Sequence, residues 1–224
     1  GRVACLVVAF DYVGYPAEDA AGCDPTDCVT DARRLADLAG ASGAEIAEFY
    51  DQPGIPGNLD FPRKQRVLEE VRRFGSALGP DDVFVLYFAG RGTQTNDGTG
   101  YGDGDEQLCF VEADGTPDFL QGDEMTAVLL NDFQPTTRVL MIADCCRAGS
   151  WCGVSSGDLD GRPICHLSAV HERGCAEASA FTLSLLRGVQ SLVRNGSRRF
   201  SVVEAFNECS VACGGGGLQW QGPW

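Results

Sequence analysis

The decisive stretch runs from Val139 to Ser150 and reads V-L-M-I-A-D-C-C-R-A-G-S. Its first five residues, Val139 to Ala143, make the short unbroken apolar run expected of a strand buried on both faces. A polar, reactive cluster follows at the carboxyl end: Asp144, adjacent thiols at Cys145 and Cys146, Arg147, then the small residues Ala148, Gly149 and Ser150, which suit a tight turn. In an open parallel sheet that end of a strand is where sites are built. A thiol there reads either as a nucleophile or as a buried cysteine beside a structural turn, since cysteine is among the most buried residue types.

Working outward, the chain alternates strands with helices. Val3 to Phe10 is a β-rich apolar run, and Cys28 to Ala39 places Val29, Ala32, Leu35, Ala36 and Ala39 on one helical face with Gly40 as a stop. Ala44 to Tyr50 reads as a strand and about Arg63 to Leu78 as a helix closed by Gly79-Pro80. The strongest strand, Val83 to Phe88, ends at A-G-R-G-T-Q (89–94), and an acidic segment then leads to a short strand at Leu108 to Val111. A helix from about Gly122 to Asn131 returns the chain to Val139. Residues 151–162 read as a linker, followed by a strand at Ile164 to Val170 and helices at Ala176 to Val193 and Val202 to Val211. Such alternation implies a mainly parallel central sheet with helices on both faces.

Composition narrows the function classes. The net charge is -15, with 32 acidic against 17 basic residues, which argues against nucleic acid, because phosphate contacts need clustered Lys and Arg. Basic protein partners or basic peptide segments suit it better. No apolar run approaches the roughly 20 residues needed to span a bilayer. Eleven cysteines, an odd number irregularly spaced in a chain large enough to fold without staples, favour a reducing compartment, cytoplasm or organelle interior. The Cys23/Cys28 and Cys209/Cys213 spacings lack the CxxC knuckle of zinc sites.

Two strand ends belong together: Y-F-A-G-R-G-T-Q at 87–94 and A-D-C-C-R-A-G-S at 143–150. They resemble the active-site motifs of the metacaspase branch of the caspase-like cysteine peptidases, typically Y-F-S-G-H-G-x-Q and D-S-C-H-S-G-S. C-V-T-D-A at 28–32, G-D-E at 104–106 and G-D-E-M at 122–125 are similar to further stretches of that family, in the same order. The resemblance implies an α/β fold of the caspase-like three-layer sandwich class. It also implies one domain over 1–224, with 1–150 like the large portion and 163–224 like the small one.

Carried over by position, Cys146 matches the nucleophile. Asp31 and Asp144 match acidic residues that line a pocket for an Arg or Lys side chain, and carboxylates in a cleft do recognise such cations. Ala89 stands where the family has a serine. The decisive departure is Arg91, in the place of the general-base histidine, because arginine cannot be deprotonated in a protein and cannot shuttle a proton. With a positioned base worth roughly 100 to 10,000-fold, little or no peptidase activity is expected. Arg91 is expected to lie near Asp144 or Asp31 and fill the recess itself. The chain has two histidines, His166 and His171, as substitute-base candidates.

The family's calcium ligands correspond to Asp105, Gly122, Asp123 and Gly153, of which two have no carboxylate, so no cofactor is expected to be required and a weakened calcium site would lean on Glu106, Glu124 or Asp103. Arg162 marks where active relatives would cut between the two portions. The reading that follows is a pseudopeptidase acting as a binding, scaffold or regulatory subunit of a larger assembly. The alternatives are an Arg/Lys-directed cysteine endopeptidase using Cys146 with a substitute base, and a redox sensor built on Cys145 and Cys146.

Overall fold

The computed structural model describes residues 1–13, 27–95, 105–146, 151, 159, 161–169, 180–197, 200–212 and 219–221. In chain order the elements are β1 (Val3–Ala9), α1 (Cys28–Ala41), β2 (Glu45–Tyr50), α2 (Lys64–Ala77), β3 (Val83–Ala89), β4 (Gly92–Gln94), β5 (Glu106–Val111), β6 (Pro117–Gln121), α3 (Gly122–Asp132), β7 (Arg138–Asp144), β8 (Ile164–Ser168), α4 (Ala180–Arg194), α5 (Val202–Ala212) and β9 (Gln219–Gln221). Six strands form one sheet in the order β2-β1-β3-β7-β8-β9, parallel except for β9, which runs antiparallel to β8. A second, antiparallel sheet orders β4-β5-β6.

The continuous apolar runs of β1, β3 and β7 follow from burial on both faces, with alternate residues feeding two separate cores. Leu6 and Val8, Leu86 and Phe88, Met141 and Ala143 face α2, α3 and the small sheet, where they meet Val71, Phe74, Met125 and Leu129. Cys5 and Val7, Tyr87 and Ala89, and Ile142 face the other way, onto Val29, Ala32 and Leu35 of α1 and Phe181 and Leu185 of α4. This is a three-layer arrangement with a mainly parallel sheet in the middle. Among the described residues no helix is long and apolar enough to cross a membrane.

Three short strands lie where loops are expected from sequence. β4 falls inside the A-G-R-G-T-Q motif, β6 follows the acidic turn, and β9 sits in the aromatic tail. The turn between β5 and β6 carries Asp114-Gly115, a hairpin signal: Gly115 takes φ +89°, and Asp114 Oδ1 accepts the Thr116 N–H at 3.0 Å. Of the helix expected from Ala176, the part before Ala180 lies outside the described residues, as do Val170 and most of the 151–162 linker.

The carboxyl ends of β1 and β2 are tied together by Asp51, whose carboxylate accepts the N–H of Asp11 at 3.0 Å and of Tyr12 at 2.7 Å. Asp11 in turn accepts the Val29 N–H at 3.1 Å and bonds Gln52, so that a side chain beyond β1 satisfies an orphan donor in the first turn of α1. The residue at the N-cap position itself, Asp27, takes φ +70° and makes no side-chain cap. Replacing Asp11 by Ala should cost about 1–2 kcal/mol, as other lost caps do, and lower the Tm by about 2–8 °C. Asp11→Asn, which can still accept the N–H, should recover most of that in a thermal melt followed by circular dichroism.

Candidate active site

β3 and β7 run parallel and in register, Ala89 beside Asp144, which delivers both motifs to the same edge of the sheet. Past the strands the pairing continues: the Gly90 N–H donates to the Asp144 carbonyl at 3.2 Å. Gly92 then packs on the peptide at Cys146 so closely that a β-carbon there would lie 2.0 Å from the Cys146 carbonyl oxygen and 3.3 Å from Cys145 Sγ. No side chain fits at 92, and this contact holds residue 91 next to the thiol pair.

The two thiols divide by the alternation of β7. Cys145 belongs to the core under the small sheet, and burial, followed by Cys109, Asp144, Cys146 and Glu106 nearby, drives its thiol well above the ordinary cysteine range. Cys146 is half-buried. A thiol suppressed in this way is a poor nucleophile, and Cys146 is the more accessible of the two.

Arg91 departs from the expectation that it fills the acidic recess. Its guanidinium carbon lies 4.9 Å from the Tyr12 ring centroid, a cation–π contact, and the backbone N–H of Arg91 donates to the Tyr12 hydroxyl at 2.9 Å. The same hydroxyl donates to the Cys109 carbonyl at 2.8 Å, so Tyr12 joins the ends of β1 and β3 to the middle of β5. Among the described residues Arg91 makes no ion pair with Asp31 or Asp144. The cation lies over the tyrosine beyond β1 instead.

Those carboxylates have partners of their own. Asp31, 1% exposed, pairs one oxygen with Arg34 at 2.8 Å, while its Oδ2 is buried without a hydrogen-bond partner among the described residues. Asp144 accepts the N–H of Thr182 at 3.2 Å and the Thr182 hydroxyl at 2.5 Å, both on Oδ2. Its carboxyl is pushed up to about 6, by burial first and by Asp31 in the opposite sense to Thr182, which lowers it. Cys28 sits among these acids: burial and then Asp144, Asp11, Asp31 and Asp51 raise its thiol. Ala89, 1% exposed, packs in the same cluster and brings no hydroxyl to it. The structure therefore gathers Asp31, Asp144 and Ala89 on one face of the sheet, with Cys146 and Arg91 at its edge.

Residues 4–204 match the family model of the caspase domain, peptidase C14. The chain belongs to that family. It is 25% identical to Metacaspase-1B of Aspergillus terreus over 151 residues, covering 67% of this chain and 39% of that protein. With Metacaspase-2 of Trypanosoma brucei brucei the identity is 23% over 154 residues, covering 66% and 42%. The chain thus spans less than half the length of these curated relatives. The crystal structure of protein GSU0716 from Geobacter sulfurreducens matches with a TM-score of 0.69 at 17% identity, covering 98% of this chain and 92% of that one, a likeness of fold.

Within this caspase domain the remaining expected positions separate. His166 lies inside β8, paired with Met141, 2% exposed and in edge contact with the Trp151 ring at 6.3 Å. Burial drives its imidazole down to about 4, its Nε2 is enclosed without a partner among the described residues, and Met141 stands three residues short of the β7 terminus. His171 lies outside the described residues. Asp105 and Asp123 are both exposed, and Glu124 is engaged by the Gln121 N–H and by Lys64. Among the described residues no three His, Cys, Asp or Glu side chains gather as metal ligands; Asp103 and Gly153 fall outside them. Arg162 donates to the carbonyls of Leu129 at 2.7 Å, Leu130 at 3.1 Å and Phe133 at 3.3 Å, capping the carboxyl end of α3.

Tyr12, Gly92 and Thr182 are site residues that sequence reasoning does not single out. Only Gly92 carries a signal, as the second glycine of the G-R-G motif. Gly92→Ala forces the Cys146 carbonyl to move, at about 1–3 kcal/mol. The expected outcome is a Tm lower by several degrees and faster reaction of Cys145 with an aromatic disulfide reagent.

Proposed function

We propose that this caspase-domain chain is a metacaspase-like pseudopeptidase, without peptidase activity of its own, that acts by binding protein partners as a scaffold or regulatory subunit of a larger assembly. The observation that carries the reading is Arg91 at the carboxyl end of β3, beside the Cys146 peptide, with its guanidinium over the Tyr12 ring. Amide cleavage by a thiol needs a group that accepts the thiol proton and returns it to the leaving amine. A guanidinium does neither at any pH the protein survives.

Two further features support it. Ala89 brings no hydroxyl to the recess, and the enclosed Nε2 of His166 lies inside β8 rather than at its mouth. What persists is the acidic character: Asp31 and Asp144 are both buried and close enough for Asp31 to raise the Asp144 carboxyl, in a chain of net charge -15. A buried carboxylate pair suits a basic segment of a partner protein.

The test is hydrolysis of a fluorogenic peptide with Arg at the cleaved position, with and without calcium. The expected result is a rate for the wild type indistinguishable from that of Cys146→Ser. Turnover that needs Cys146 and vanishes in His171→Ala or His166→Ala would overturn the proposal in favour of an endopeptidase with a substitute base.

A further inference from the structure

Behind Asp144 runs a buried line of hydroxyls that joins three elements distant in sequence. Thr182, in the first turn of α4, is fully buried and places its Oγ1 2.5 Å from Asp144 Oδ2 and 2.7 Å from the hydroxyl of Tyr87 on β3, which is also fully buried. A threonine hydroxyl has one hydrogen. With that hydrogen directed at the carboxylate, the Tyr87 O–H must donate into Thr182 Oγ1, and the line is polarised toward Asp144. The Thr182 N–H, one of the orphan donors at a helix start, points at the same oxygen from 3.2 Å.

We infer that Thr182, backed by Tyr87, is the positioning residue of the acidic recess, fixing the Asp144 carboxylate in its charged form and its orientation toward a guanidinium or ammonium group. The inference rests on the reading of Asp31 and Asp144 as the site that recognises a basic segment. The groups facing Asp144 are Asp31 and Cys28 from α1, Tyr87 from β3 and Thr182 from α4. Of these, Thr182 alone favours the ionised carboxyl, against burial and the neighbouring Asp31. Deprived of it, the carboxyl takes up a proton at higher pH, and a neutral acid offers a cation far less than a carboxylate does. The residue lies in the small portion of the chain, 38 positions beyond Asp144, and makes the recess conditional on α4 being docked.

The experiment uses the full chain and two fluorescein-labelled peptides, otherwise neutral, that differ by one arginine against citrulline. Binding is followed by fluorescence anisotropy from pH 5 to 8 for the wild type, Thr182→Val, Thr182→Ser, Tyr87→Phe and Asp144→Asn. The wild type should prefer the arginine peptide, with affinity falling below about pH 6 as Asp144 protonates. Thr182→Val should move the pH midpoint up by about a unit and so weaken arginine binding at pH 7 by about twofold or more. Thr182→Ser should restore both, and Tyr87→Phe should shift the midpoint in the same direction as Thr182→Val by less.

Wild-type affinity and midpoint in Thr182→Val, with arginine preference lost in Asp144→Asn, would overturn this assignment and leave the basic-ligand reading standing. A Thr182→Ser variant as impaired as Thr182→Val would overturn it too, since the residue would then act through the packing of α4. A wild type that does not distinguish arginine from citrulline would overturn the reading of the recess and the assignment together.

Discussion

The in-phase parallel pairing of β3 with β7 is the constraint on which the site depends. Seven residue pairs, from Val83 with Arg138 to Ala89 with Asp144, bring both strands to the edge of the sheet at the same height. Beyond that edge the backbones stay together through the Gly90 bond and the close approach of Gly92 to Cys146. A slip of one residue would exchange the two faces, sending Asp144 into the aromatic core and Cys145 toward α1. The apolar alternation that feeds two cores therefore also determines which thiol is suppressed and which is accessible.

At the same edge, carboxylates do two jobs. Asp11 and Asp144 each lie just beyond or at the end of a central strand, and each accepts backbone N–H groups from the first turn of a helix on the same face, α1 and α4 respectively. The helices are thereby registered on the strand ends. Asp144 therefore has a structural duty toward α4 besides any that it has toward a ligand. Removing the carboxylate would loosen α4 as well as change the recess.

Much of this was legible in the sequence. The long runs of β1, β3 and β7 announce buried parallel strands, and the clusters at their carboxyl ends mark the site. Three-residue strands such as β4 and β9 are too short for any periodicity to emerge, and β6 is preceded by a hairpin signal at Asp114-Gly115 that pattern alone could have used. Long-range partners were the illegible part. Nothing in D-Y-V at residues 11–13 marks Tyr12 as the residue under the Arg91 cation, and a threonine in an amphipathic helix such as α4 looks like any buried small side chain. Arg162, which suggests a cleavage point in a linker, is held by two carbonyls of α3 and that of Phe133 just beyond it, which its own neighbourhood in the sequence does not reveal.

The central proposal is that Arg91, held beside the Cys146 peptide, offers an amide-cleaving thiol a guanidinium that neither takes up its proton nor returns it. The most direct test is the rate of iodoacetamide alkylation of Cys146 from pH 4 to 9, located by fragmentation mass spectrometry. A single rise with pH, governed by one ionisation, is the expected result. A rate that holds a plateau into acid, with a second inflection near the ordinary histidine range of about 6.5, would reveal a thiolate–imidazolium pair and contradict the account.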